Sequence, residues 1–175
     1  MGVELDMQLV FPTTEHKQAA LDFRQEFFNH GEDGIDGGAG LCKAPSYAFW
    51  LEVVEDAPTR VHEKWVPSST YFAVDSGKIV GIVDIRHRLN DHLINVGGHI
   101  GYSVRPAERR KGYATEILRL ALEKCREMGI KSVLVTCNSD NIGSEKAILK
   151  NGGVRENTFL EEDGTVVLRH WIEVY

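Results

Sequence analysis

The stretch VRPAERRKGYATEIL, Val104 to Leu118, sets Arg109, Arg110 and Lys111 side by side, follows them with Gly112, and then begins a long apolar-periodic run. Backbone N–H groups at a helix N-terminus, helped by the helix dipole, form an anion site, and a glycine there lets a phosphate come close to the main chain. The spacing points to a phosphate or diphosphate guest. On the motif alone, a solvated basic turn that only caps a helix fits as well. Neither G-x-x-x-x-G-K-[ST] nor G-x-G-x-x-G is present, which excludes a Walker loop and a dinucleotide fingerprint.

The elements that must position this turn are legible from periodicity. MQLVF reads as a short strand stopped by Pro12, and TEHKQAALDFRQEFFNH as a helix with Thr13 or Thr14 as its cap. GEDGIDGGAG, Gly31 to Gly40, reads as a mobile glycine-rich loop, either a surface connection or a lid over substrate. SYAFWLEVVED resumes as a helix. The two β-prone runs of TYFAVDSGKIVGIVDIRH flank a hairpin turn at Asp75 to Lys78, and a third strand runs from about Gly97 to Val104, stopped by Pro106. After Gly112 the helical pattern is the clearest in the chain, with Ala114, Ile117, Leu118, Ala121, Leu122, Cys125 and Met128 on one stripe and Gly129 as the stop. A buried-type strand KSVLVTC, a short helix NIGSEKAILKNGG and a closing hairpin through Glu162 to Thr165 complete an α/β arrangement.

Composition bounds the rest. At 175 residues, with 42% hydrophobic and 26% charged residues and no linker or repeat, the chain is expected to form a single domain over 1–175. No apolar run approaches the ~20 residues of a membrane span, and MGVELDMQLVF lacks the basic start and apolar region of a signal peptide. Three cysteines (Cys42, Cys125, Cys137) match neither a disulfide framework nor a zinc site, which suits a cytoplasmic location. A net charge of −6 disfavours nucleic acid as the main partner.

Arg109-x-x-Gly112-x-Ala114 matches the [QR]-x-x-G-x-[GA] signature of the GNAT acyltransferase superfamily. HIGYSVRPAERRKGYATEILRLALEKCREMGI resembles that family's motif A, and VLVTCNSDNIGSEKAILKNGG its motif B, together about residues 98 to 153. The resemblance implies a GNAT fold: a central twisted mixed β-sheet of about six or seven strands flanked by helices, with strands splayed at an acetyl-CoA site. It implies that the pantetheine arm pairs as an added strand with main-chain groups of Tyr102, Ser103 and Val104. The diphosphate would then lie on the amides of Arg109, Arg110, Lys111, Gly112, Tyr113, Ala114 and Thr115. Asn141 falls where a family asparagine contacts the cofactor arm, and Ser144 lies one helical turn on, as a contact or as a packing residue.

The family's reaction is transfer of acetyl from acetyl-CoA to a primary amine of a small molecule or peptide, by direct attack in a ternary complex. His99 occupies a position where many relatives carry a glutamate, and an imidazole titrating near neutral pH could serve as base or as a structural hydrogen-bonding group. Ile148 stands where relatives often hold a tyrosine near the cofactor sulfur and cannot donate a proton. Tyr102 is the substitute acid if it reaches that far; otherwise the thiolate leaves into water. Cys137 has no evident partner base, and His87 and His92 lack metal-ligand spacing, so no metal is expected. Glu26, Glu32, Asp33 and Asp36 could attract a cationic amine that Trp50 or Trp65 covers, or be ordinary surface acids. The competing reading is a non-catalytic acyl-CoA-binding sensor module. Many family members are homodimers, although no interface patch is legible here.

Overall fold

The computed structural model describes residues 5–175. The expectation that MGVELDMQLVF is no signal peptide rests in part on residues 1–4, which lie outside the described residues. The order is β1 (Met7–Val10), α1 (Lys17–Asn29), α2 (Tyr47–Asp56), β2 (Ser68–Asp75), β3 (Lys78–Arg86), β4 (Ile100–Val104), α3 (Tyr113–Glu127), β5 (Ser132–Asn138), α4 (Ile142–Lys150), β6 (Val154–Leu160) and β7 (Val166–Glu173). Ladders join β1-β2-β3-β4 into one sheet and β5-β7-β6 into another, each pairing antiparallel.

Local chemistry accounts for the turns. Ser76 and Gly77 both have positive φ (51° and 78°), the requirement of a two-residue type I′ hairpin, whose twist suits the strands it joins. Ser46 caps α2 by accepting the Phe49 N–H at 3.1 Å, and Asn141 caps α4 by accepting the Ser144 N–H at 3.1 Å. The apolar stripe of α3 buries Ile117, Leu118, Ala121, Leu122 and Cys125 against the sheet, with Met128 left at the surface.

Two cores flank the β1–β4 sheet. One lies under α3 and α4, around Val83, Ile85, Val133, Val135 and Ile148. The other holds Phe23 and Phe27 of α1, Trp50 of α2, and Phe72 and Ile82 of the sheet. Fully burying each such aromatic or branched side chain contributes about 1.5–3 kcal/mol, so the alternation of β3 between the two cores fixes its register firmly.

The strand expected from Gly97 begins instead at Ile100. Gly97 and Gly98 both take positive φ (102° and 60°), and a Cβ on Gly98 would lie 2.4 Å from the Leu134 carbonyl oxygen. These glycines let the chain press against β5 before it enters β4. The Gly31–Gly40 loop, expected to be mobile, is held down. Asp36 O accepts from Ser103 Oγ at 2.8 Å, Gly38 O accepts from Trp50 Nε1 at 2.9 Å, and a Cβ on Gly37 would fall 2.1 Å from Gly101 O. Here glycine supplies close approach rather than freedom.

Candidate active site

The turn before α3 is a cradle of unsatisfied amides. Arg110 and Gly112 have positive φ (65° and 92°), and no N–H from Arg110 to Thr115 has an acceptor among the described residues. A Cβ at Gly112 would meet nothing within 4 Å, so the space in front of the amides is open. Helix N-termini leave such donors by construction, and they attract anions.

Side chains brace the cradle from behind. Arg109 forms a bidentate pair with Glu32 (2.9 Å and 2.9 Å) and stacks over Phe27, so its guanidinium points away from the open side. Its hydrogen bonds hold the Glu32 carboxyl below the usual carboxylate range. Glu26 accepts from Arg105 Nε at 2.5 Å and from the Ala107 N–H at 2.8 Å. Lys111 is paired with Glu108 at 2.8 Å, while Arg110 is exposed with no ion pair among the described residues. Tyr113 is turned inward to donate to Asp75 at 2.6 Å, which leaves only its main chain at the cradle. Glu26 and Glu32 are therefore buttresses rather than attractants for an amine. Arg109→Gln and Glu32→Gln are both expected to weaken binding of a diphosphate ligand by less than about tenfold, because each removes the same partly exposed pair. Calorimetry on both variants checks this; a far larger loss for Arg109→Gln would mean that its guanidinium holds the anion.

Beside the cradle, β4 and β5 share no ladder. They meet at His99, whose N–H donates to Leu134 O at 2.8 Å and whose Nδ1 accepts from the Leu134 N–H at 2.9 Å. Beyond that contact no backbone hydrogen bond joins β4 to β5 among the described residues. Arg105 N–H donates to Val80 O, so along the regular β3–β4 ladder the Gly101 and Ser103 main chain faces β3, and that of Tyr102 and Val104 faces the gap. Ser103 departs from expectation, since its main chain is spent on β3 and its hydroxyl on Asp36 O.

His99 also departs from the role of base. With Nδ1 accepting, the neutral ring carries its proton on Nε2, and burial followed by the nearby Arg86 pushes its pKa down to about 4. A folded pKa below the ordinary 6.5 means that the unfolded chain binds the proton more tightly. The His99 contribution to stability is thus complete above about pH 6.5 and is lost as pH falls toward about 4. His99→Ala leaves a buried Leu134 N–H unsatisfied and is expected to cost about 1–3 kcal/mol. Urea titrations at several pH values check both statements, since the variant loses part of the acid sensitivity.

Across the gap, Tyr102 Oη and Ser144 Oγ hydrogen-bond at 2.9 Å, joining β4 to α4. Burial pushes the Tyr102 hydroxyl up to about 12 and the Cys137 thiol up to about 11, so both are protonated and Cys137 is a poor nucleophile. Ile148 is fully buried in the core under α4.

On the α1–α2 side lies a cavity of about 930 Å³, bounded by the Gly37–Gly40 segment, the end of α2, the chain before β2, and the loop after β3. Its floor carries Asp84, cross-strand partner of Gly101, which accepts from Thr70 Oγ1 at 3.0 Å and lies 3.5 Å from Arg86 Nε. Burial raises the Asp84 pKa, against the pull of Arg86 and the hydrogen bonds. Arg86 is itself fixed by the Gly97 and Gly98 carbonyls at 2.8 Å and 3.2 Å.

The sequence matches the acetyltransferase (GNAT) family over residues 44–152. The chain belongs to that family. No curated protein matches it at a significant level. Among solved structures, Mycobacterium smegmatis RimJ in complex with CoA-disulfide is similar at a TM-score of 0.70 and 19% identity, over 96% of this chain and 82% of that one. RimL, a ribosomal-protein alpha-N-acetyltransferase in complex with coenzyme A, gives 0.69 and 14% over 96% and 94%. The microcin C7 self-immunity acetyltransferase MccE, in complex with acetyl-CoA and AMP, gives 0.66 and 17% over 99% and 96%. At these identities the likeness is one of fold.

In this GNAT chain the Arg110–Thr115 amides follow directly on β4, whose Tyr102 is joined to α4 through Ser144, and His99 immediately precedes β4. The Asn141 side-chain oxygen is committed to the Ser144 N–H. Of the tryptophans expected to cover an acceptor, Trp50 is in the core and Trp65 is exposed at the cavity. Asp84 was missed. Its signal in the sequence was a single carboxylate inside the apolar run KIVGIVDI, which a core-facing strand tolerates only where a partner or a site holds it. Among the described residues no three His, Cys, Asp or Glu side chains gather to hold a metal ion, and no helix is long and apolar enough to cross a membrane.

Proposed function

We propose that this chain is an N-acetyltransferase that moves acetyl from acetyl-CoA to a primary amine by direct attack, with residues 1–175 acting as a single catalytic domain. The observation that carries the reading is the open run of amides from Arg110 to Thr115 lying just past a strand edge whose Tyr102 and Val104 N–H groups have no acceptor among the described residues, the Val104 carbonyl being taken by Arg109 Nε at 3.3 Å. These fit a diphosphate and a pantetheine arm, and the open space at Gly112 leaves room for the phosphates. Acetyl-CoA, when bound, supplies an activated thioester.

The chain's own residues supply the rest. The amides hold the phosphates, and the gap-facing N–H groups of Tyr102 and Val104 orient the arm and donate to the carbonyl oxygen as charge develops there. Asp84, in its ionised form, takes the proton of the attacking amine directly or through water. Tyr102, kept protonated and paired with Ser144, donates a hydrogen bond toward the departing sulfur. The test is calorimetric titration with acetyl-CoA and CoA, followed by an amine panel read by thiol release. Micromolar binding with turnover supports the reading. Binding without turnover on any amine would favour an acyl-CoA sensor, a reading that the buried Ile148 at the usual tyrosine position motivates.

A further inference from the structure

The cavity over Asp84 is lined by three cations and two carboxylates. The chain carries a formal charge of −6, yet Arg60, Lys64 and Arg86 line this cavity against Asp36 and Asp84. Arg86 is spent on Asp84 and the Gly97 and Gly98 carbonyls. Arg60 makes a single long contact of 3.5 Å to Val53 O, and neither Arg60 nor the Lys64 ammonium has a carboxylate partner among the described residues. Arg60 joins Arg86 in drawing on Asp84, yet three cations against two carboxylates leave the cavity lining with a net positive charge that an anionic group neutralises.

The walls sort by chemistry. Arg60 and Lys64 belong to the segment between α2 and β2, which is tied to the loop after β3 by Asn90 Nδ2 donating to Lys64 O at 3.2 Å. Asp36 is on the glycine-rich segment, and Asp84 is at the floor next to Gly101. Between them Ile35, Val53, Trp65 and Leu93 offer apolar surface. A volume of about 930 Å³ suits a small molecule, within the range of about 300–1,000 Å³ usual for such ligands.

We infer that the acceptor is a small amine bearing its own oxyanion, a carboxylate or phosphoryl group, with the oxyanion held by Arg60 and Lys64 and the amine directed to Asp84. An acceptor with cationic charge alone would meet Arg60, Lys64 and Arg86 at like charge, which costs rather than contributes affinity. This inference rests on the acetyl-transfer reading above, and its test separates the two.

The experiment measures thiol release from acetyl-CoA with matched amines: leucine against isoamylamine for the carboxylate, phosphoethanolamine against ethanolamine for the phosphoryl group, with spermidine and a short serine-initiated peptide alongside. The expected result is a kcat/KM at least about tenfold higher for the anionic member of at least one pair, a preference worth about 1.4 kcal/mol. The pair showing it identifies the oxyanion. In the Arg60→Gln/Lys64→Gln variant the preference collapses through KM, while the calorimetric affinity for acetyl-CoA stays as in the parent. Acetyl-CoA binding together with better turnover of spermidine, isoamylamine or ethanolamine than of the anionic members would overturn the inference and leave acetyl transfer standing. Absence of acetyl-CoA binding would overturn the acetyl-transfer reading itself.

Discussion

Gly112→Asp is expected to weaken binding of CoA and acetyl-CoA by about 100-fold or more, equivalent to about 2.8 kcal/mol, with the fold retained. The new carboxylate projects into the open space in front of the amides, where nothing else lies within 4 Å of the Cβ. It occupies the volume intended for phosphate and repels it. Backbone strain is a separate effect, because a non-glycine residue at φ 92° costs about 1–3 kcal/mol, although aspartate is among the residues that tolerate this region best and favours a helix N-terminus. Gly112→Asn carries the same strain without the charge. Calorimetry on both variants, with thermal melts as a fold control, isolates the anion term. Equal, small losses would place the diphosphate away from this turn.

The second large effect is at Asp84. Asp84→Asn is expected to lower kcat/KM by about 10²–10⁴, the usual contribution of a positioned general base, while leaving acetyl-CoA affinity unchanged. The pH dependence carries the sign. The folded-state pKa of Asp84 is raised by burial, so its ionised form is disfavoured in the fold, and the penalty is present at neutral pH and relieved as pH falls through the folded pKa. Asparagine removes that penalty, keeps an acceptor for Thr70 Oγ1, and is expected to leave stability at pH 7 equal or higher. The kcat profile of the parent falls on the acid side as Asp84 takes up a proton, and that limb is expected to vanish in the variant. A superimposable profile, or full activity, would remove Asp84 from the base role.

The cradle was legible in the sequence because its parts are contiguous. A strand end, a basic turn, a glycine and a strong helical stripe lie within Val104 to Leu118, and a helix N-terminus presents its amides wherever it forms. The hairpin at Asp75 to Lys78 and the buried stripe of α3 were legible for the same reason, as their chemistry repeats at the period of the element itself. The roles of individual side chains were not. His99 reads from sequence as either a base or a structural hydrogen-bonding group, and it is the tertiary contact made by the positive-φ pair Gly97–Gly98 against Leu134 that commits its Nδ1 to holding the start of β4 to β5. Arg109 is read as part of an anion turn, but Glu32, far off in sequence, takes its guanidinium. Asp84 and the unpaired Arg60 and Lys64 gain meaning only once β3, the chain before β2 and the glycine-rich segment close on one cavity.

The sequence by itself determined the family, the order of elements and the helix N-terminal turn whose amides stand open, since each depends on local periodicity and on backbone donors fixed by the chain's own geometry. Only the tertiary structure decided which charges are free and which are spent. A side chain's charge is cancelled or left open by partners many residues away, and its pKa by the burial that packing imposes.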